Sequence, residues 1–132
     1  LRALTIPIAG ADFLNKRGPT RRFGIALCKP GDPIELRPEP KNPVDPMAIA
    51  IFQSSGIQLG YVPAEKVQLF RSIMGRGVQL IAIFQQATER GGLVRIGFDE
   101  VPDLPTIRGP EGASERDRFV DEWPVDPIWD ED

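Results

Sequence analysis

Residues 37–52 read RPEPKNPVDPMAIAIF. Pro38, Pro40, Pro43 and Pro46 fill four of nine positions, and an apolar run follows them. Each proline fixes its own φ and pushes the preceding residue toward an extended conformation. Lys41 and Asn42 are held between one pair of prolines, Val44 and Asp45 between the next. Such a loop has little entropy left to lose on binding. Asparagine offers donor and acceptor together, and ionised aspartate is a pure acceptor. Two readings stand side by side. The turn presents these groups to a hydroxyl or a nucleobase edge, or the side chains cap the turn's own backbone.

Outward from this turn, the chain reads as β structure. PIELR, residues 33–37, alternates Ile34 and Leu36 with Glu35 and Arg37. AIAIF, residues 48–52, is apolar on both faces, as a central strand requires. SSG is a tight turn, and IQLGYV pairs back as a hairpin. Upstream, LTIPIAG reads as a first strand in which Pro7 suits an edge, NKRGPTRR as a basic loop and FGIALCK as another strand. KPGD is a turn. Downstream, Pro63 opens a helix with Glu65 near its positive end, and Val67, Phe70, Ile73 and Met74 form one face. Gly75 and Gly77 end it. VQLIAIF is a long strand, QQATERGG a turn and LVRIGF the closing strand. The expected architecture is mainly β: a small OB-like β-barrel of about six strands with one or two short helices.

After Phe98 the character changes. Residues 1–98 carry 13 basic and 7 acidic side chains, a balance of +6, and residues 99–132 carry 3 and 12, a balance of −9. The expected organisation is one domain over residues 1–98 and an extended acidic, proline-rich extension over residues 99–132. A basic body points to an anionic partner.

Several classes are excluded or disfavoured. There is no histidine, and Cys28 is the only cysteine, so neither an internal disulfide nor a Cys/His zinc site is possible. Cys28 lies in an apolar run and reads as a small buried residue. No segment has the length of a membrane span, and LRALTIPIAG is too short for a signal peptide, so a cytoplasmic location is expected. The sequence begins at Leu1 rather than methionine, which leaves a longer parent chain open. Asp32, Glu39 and Lys41 faintly echo the acid set of metal-dependent nucleases, but Pro38 and Pro40 argue against the paired strand such a set needs. Neither catalysis nor a metal or other cofactor is expected.

The turn and its surroundings resemble the HIRAN domain. The elements that carry the resemblance are Glu39-Pro40, Asn42-Pro43, Asp45, Ala48-Ile49, Gly56 and Gly60-Tyr61-Val62-Pro63, with Gly10 to Phe13 as the opening strand. They span roughly residues 4–98. The resemblance implies an OB-like barrel that binds single-stranded DNA at its free 3' end, in DNA repair or processing. It implies that Arg22 contacts phosphate, that Phe23 stacks on a base, that Asn42 stands near the terminal nucleotide and that Asp45 accepts from the 3'-hydroxyl. Val44 stands where the family has an aromatic, Lys41 where it has a second asparagine, and Tyr61 where the end-binding member of the family has a histidine. A nearby basic position falls on Ala64, with Lys66 one helical step away. Lys16, Arg17 and Arg21 form a secondary basic cluster beside Phe23, and basic residues interleaved with an aromatic suit a single strand.

A second class of partner is a protein. Phe119, Trp123 and Trp129 lie among carboxylates, so the tail can engage a basic partner or dock on its own body in imitation of DNA, or it can simply solubilise the chain.

Overall fold

The computed structural model describes residues 2–105. The strands are β1 (Leu4–Pro7), β2 (Pro33–Pro38), β3 (Ile49–Gln53), β4 (Gln58–Tyr61), β5 (Leu80–Thr88) and β6 (Gly91–Phe98). The helices are α1 (Arg21–Ala26) and α2 (Ala64–Gly75). All six strands join one antiparallel sheet in the order β1-β6-β5-β2-β3-β4. The sheet curls until its two edges meet. Just past β1, the Ala9 amide donates to the Tyr61 carbonyl and the Tyr61 amide donates to the Ala9 carbonyl, each at 2.9 Å. Gly60 makes this approach possible, because a Cβ there would run into the Ala9 carbonyl oxygen and the Ile8 side chain.

The interior is filled from both sheet and helix. Ile6, Ile49, Ile51, Leu59, Phe84, Val94 and Ile96 are fully buried, and Phe70 of α2 joins them. Val67, Phe70 and Ile73 form the buried face of α2, as their spacing requires, and Met74 packs partly against the core. Pro63 stands just before the helix rather than inside it, and Gly77 leaves it at φ +89°. Pro7 lies in the edge strand β1.

Gly10 to Phe13 is a turn that follows β1 rather than the opening strand. Three further expectations are corrected. FGIALCK is not a strand: Arg21–Ala26 is helical. The Thr20 hydroxyl accepts from the Phe23 amide at 3.0 Å and caps the first turn. Arg21, Gly24 and Ile25 face inward, and Phe23 and Leu27 face solvent. The uninterrupted apolar run hid a two-sided helix. Gly24 decides its position, since a Cβ there would clash with Ile57 and Leu59 of the β4 hairpin. Second, Pro38 does belong to a paired strand, opposite Ile49. The Glu39 amide bonds to the Ala48 carbonyl at 2.9 Å, so the Pro38 nitrogen points away from β3. It points to a side where β5 pairs only with Pro33 and Ile34, and no ladder bond is lost. Third, QQAT belongs to β5, which leaves only Glu89 and Arg90 in the turn to β6.

The chain does not leave the sheet at Phe98. The Asp99 amide donates to the Gln79 carbonyl at 2.7 Å, and Pro102 is buried beside Gly97. Phe119, Trp123 and Trp129 lie outside the described residues.

Candidate nucleic-acid interface

The proline-bracketed turn is held by its own hydrogen bonds. The Asn42 amide N–H of the backbone donates to the Glu39 carbonyl at 3.0 Å. The Asn42 side-chain oxygen accepts from the Val44 and Asp45 amides at 2.8 and 3.0 Å. Asp45 Oδ1 accepts from the Met47 amide at 2.9 Å, and the Asp45 carbonyl from the Ala48 amide at 3.0 Å. These are the local caps that asparagine and aspartate form in turns. The capping reading therefore describes what Asn42 and Asp45 do in the free chain. Val44 stands at the tip, 90% exposed. Arg71 of α2 fastens the far side, donating to the carbonyls of Pro46, Met47 and Ala48 at 3.2, 3.2 and 3.4 Å.

The basic segment before α1 is fixed in the same way. Arg21 is buried. Its Nη1 donates to the Gly10 carbonyl and its Nε to Asn15 Oδ1, both at 2.8 Å. Asn15 Nδ2 in turn donates to the carbonyls of Pro19 and Gln58, at 3.0 and 3.1 Å. Arg21 thus ties its loop to β4 rather than joining a solvent-facing cluster with Lys16 and Arg17, which are exposed. Arg22 is exposed and paired with Asp12 at 2.7 Å. The Arg22 hydrogen bond and charge hold the Asp12 carboxyl below its ordinary value. Phe23 is half exposed on the outer face of α1.

One chain of contacts joins the two loops. The Arg21 guanidinium lies 5.5 Å from the centroid of the Tyr61 ring. The Tyr61 hydroxyl donates to Glu39 Oε1 at 2.8 Å, and Asn42 Nδ2 donates to the same oxygen at 2.9 Å. Arg21, Tyr61 and Asn42, predicted separately, are therefore parts of one network. Arg22 and Phe23 stand next to it in sequence, and Val44 and Asp45 extend from its other end. Lys41, exposed, and Lys66, half buried on the first turn of α2, have no side-chain bond to the network among the described residues. Sequence reasoning missed Glu39 as the hub, Asn15 and Arg71 as fasteners, and Asp12 as the Arg22 partner. Glu39 lay within the quoted turn. Arg71 sits between the core positions Phe70 and Ile73, where charge normally means solvent. Among the described residues no group of three acids or cysteines is placed to hold a metal ion, and no helix is long and apolar enough to cross a membrane.

Comparison with known proteins agrees with the fold. The crystal structure of the HIRAN domain of human HLTF is similar at a TM-score of 0.56 and 18% identity, covering 74% of each chain. The crystal structure of a protein from Lactobacillus plantarum is similar at a TM-score of 0.56 and 21% identity, covering 72% of this chain and 94% of that one. Among curated proteins none matches the chain. At these identities the two structures speak for the fold. The family model of the HIRAN domain matches residues 4–96, most of the chain and nearly all of its ordered sheet. By that match the chain belongs to the HIRAN domain family, whose members are in general nucleic-acid-binding modules.

Proposed function

We propose that this domain binds single-stranded DNA without catalysis and recognises its 3'-hydroxyl end, serving DNA repair or processing. The observation that carries the reading is the contact chain Arg21–Tyr61–Glu39–Asn42. It sets a basic, aromatic helix and a rigid acceptor-bearing turn in one preorganised unit. A single strand needs phosphate neutralisation and a stacking surface. Arg22 and Phe23 supply these from α1. Asp45 supplies the end recognition: its Oδ1 is held by the Met47 amide, and the carboxylate accepts from the terminal hydroxyl. A 3'-phosphate is repelled by the same group. Val44 offers no second stacking face, and one base–aromatic stack is worth about 1–3 kcal/mol. The affinity is correspondingly modest.

The test compares oligonucleotides ending in 3'-hydroxyl and 3'-phosphate. The hydroxyl end binds more tightly to the unmodified protein, and Asp45→Ala narrows the difference. Equal affinity for both ends removes end recognition and leaves a generic strand binder.

A second reading rests on the charge asymmetry between +6 and −9. Here the acidic tail, with Phe119, Trp123 and Trp129, engages a basic protein or the DNA-binding face of its own body, and DNA binding is weak or absent.

A further inference from the structure

A concave surface lies between the loop of residues 15–19 and the hairpin that joins β3 to β4. It is an open groove of about 550 Å³. Clefts of roughly 300–1,000 Å³ are the size that holds small organic ligands. Lys16 and Arg17 are exposed on one wall, and no acidic residue lines it. Phe52 lines the opposite side. The Arg37 guanidinium stacks 3.8 Å from the Phe52 ring centroid. Glu35 pairs with Arg37 at 2.9 Å, so Arg37 orients the ring more than it adds free charge.

Both walls are held before any ligand arrives. Asn15 bonds the loop to the Gln58 carbonyl at 3.1 Å. Gln53 Oε1 organises the hairpin by accepting from the Ser55 amide and hydroxyl and from the Ile57 amide, at 2.7, 2.7 and 3.0 Å. The loop that forms one wall is tied to the interface through Arg21. Asn15 accepts from Arg21, and Arg21 stacks on Tyr61. Two exposed cations and an aromatic edge on fixed walls without acids repeat the requirements of a nucleic-acid single strand.

We propose that this groove is a second subsite for the strand, holding the sugar–phosphate backbone and a base on the 5' side of the end-binding turn. Lys16 and Arg17 neutralise phosphates there, and Phe52 supplies apolar contact to a base. The inference rests on the single-strand reading above and extends its footprint beyond the terminal nucleotides.

The test uses the full chain and two oligonucleotides with the same 3' end, one of about four and one of about twelve nucleotides. The longer one binds the unmodified protein more tightly. The exposed double variant Lys16→Ser/Arg17→Ser loses about tenfold on the longer oligonucleotide, with a shallower salt dependence, and keeps its affinity for the shorter one. Phe52→Leu weakens the longer one without changing the salt slope. Equal affinity for both lengths, or a loss in the double variant that is the same for both, overturns the groove while leaving end recognition standing. Absence of binding at either length defeats the single-strand reading and the groove with it.

Discussion

Arg22 enters any encounter with DNA already paired. Its Nε lies 2.7 Å from Asp12 Oδ1, and both side chains are well exposed. Exposed pairs of this kind contribute little to stability. Their effect on binding is larger, because a phosphate must displace the carboxylate or tolerate it nearby. The Asp12 carboxyl is held below its ordinary value, first by the hydrogen bond from Arg22 and then by its charge. A depressed carboxyl contributes above its unfolded value, and the contribution is lost only as pH falls through the folded one. At neutral pH the pair is therefore fully formed. Asp12→Asn raises single-strand affinity by a few-fold at low salt and less at high salt, with thermal stability nearly unchanged. Unchanged affinity at low salt would place Arg22 outside the contact surface. Cys28 gives a second expectation at this scale. Burial, and to a lesser extent the charge of Asp32, push its thiol up to about 11, and the thiol donates to the Gly24 carbonyl at 3.4 Å. The thiolate is the reactive form. Alkylation by iodoacetamide is slow at mildly alkaline pH and accelerates only toward that value. Because the folded value is raised, this group's contribution to stability is intact below the ordinary thiol value and declines as pH rises from there toward 11.

At the level of elements, the turn depends on a helix that is remote in sequence. Arg71 spans three consecutive carbonyls from α2 with one planar guanidinium. Lysine has a single compact ammonium and cannot cover that span. Arg71→Ala and Arg71→Lys both speed hydrogen exchange of the Met47 and Ala48 amides and lower stability by about 1–2 kcal/mol in urea unfolding. Full rescue by lysine would show that charge rather than geometry holds the turn. Such fasteners were the part least legible in the sequence. The strands β2, β3 and β4 were legible because alternation and turn residues mark them locally, and α2 because its core positions repeat at helical spacing. The family elements located Tyr61 and Asn42. They did not reveal that Glu39 joins them, since that bond depends on β2 and β4 flanking β3 in register. The helix α1 was hidden by its composition: Phe23 and Leu27 are apolar yet face solvent, so the run had no polar face to betray its period. Arg21 was hidden for the opposite reason, being a charge that is buried.

The whole molecule carries an imbalance of charge, and the packing of residues 99–105 changes where it is best divided. Pro102 is buried and Asp99 bonds back to Gln79, so removal of everything after Phe98 strips packed residues from the sheet. Truncation after Pro105 avoids this. It removes 9 acidic and 3 basic side chains and leaves a body of +3. The truncated chain binds single-stranded DNA more tightly than the full one, most clearly at low salt. Trp123→Ala/Trp129→Ala in the full chain separates two causes, because it leaves the charge unchanged. A gain from the double substitution indicates a docked tail, and no gain beside a gain from truncation indicates charge alone. Unaltered affinity after truncation makes the tail a partner-binding or solubilising segment.

The pair of bonds between Ala9 and Tyr61 has a consequence for how binding and folding are coupled. A closed sheet opens along its weakest seam, and among the described residues this one is stitched by a single backbone bridge, whereas the neighbouring pair β5 and β6 runs in register for most of its length. Tyr61 lies on the seam, and the loops it joins lie on either side. A half-open molecule therefore keeps most of its core and loses the interface, and a ligand that touches both loops acts as a latch. Binding then protects the Ala9 and Tyr61 amides from exchange far more than it protects β5, and the gain grows with ligand concentration as mass action requires.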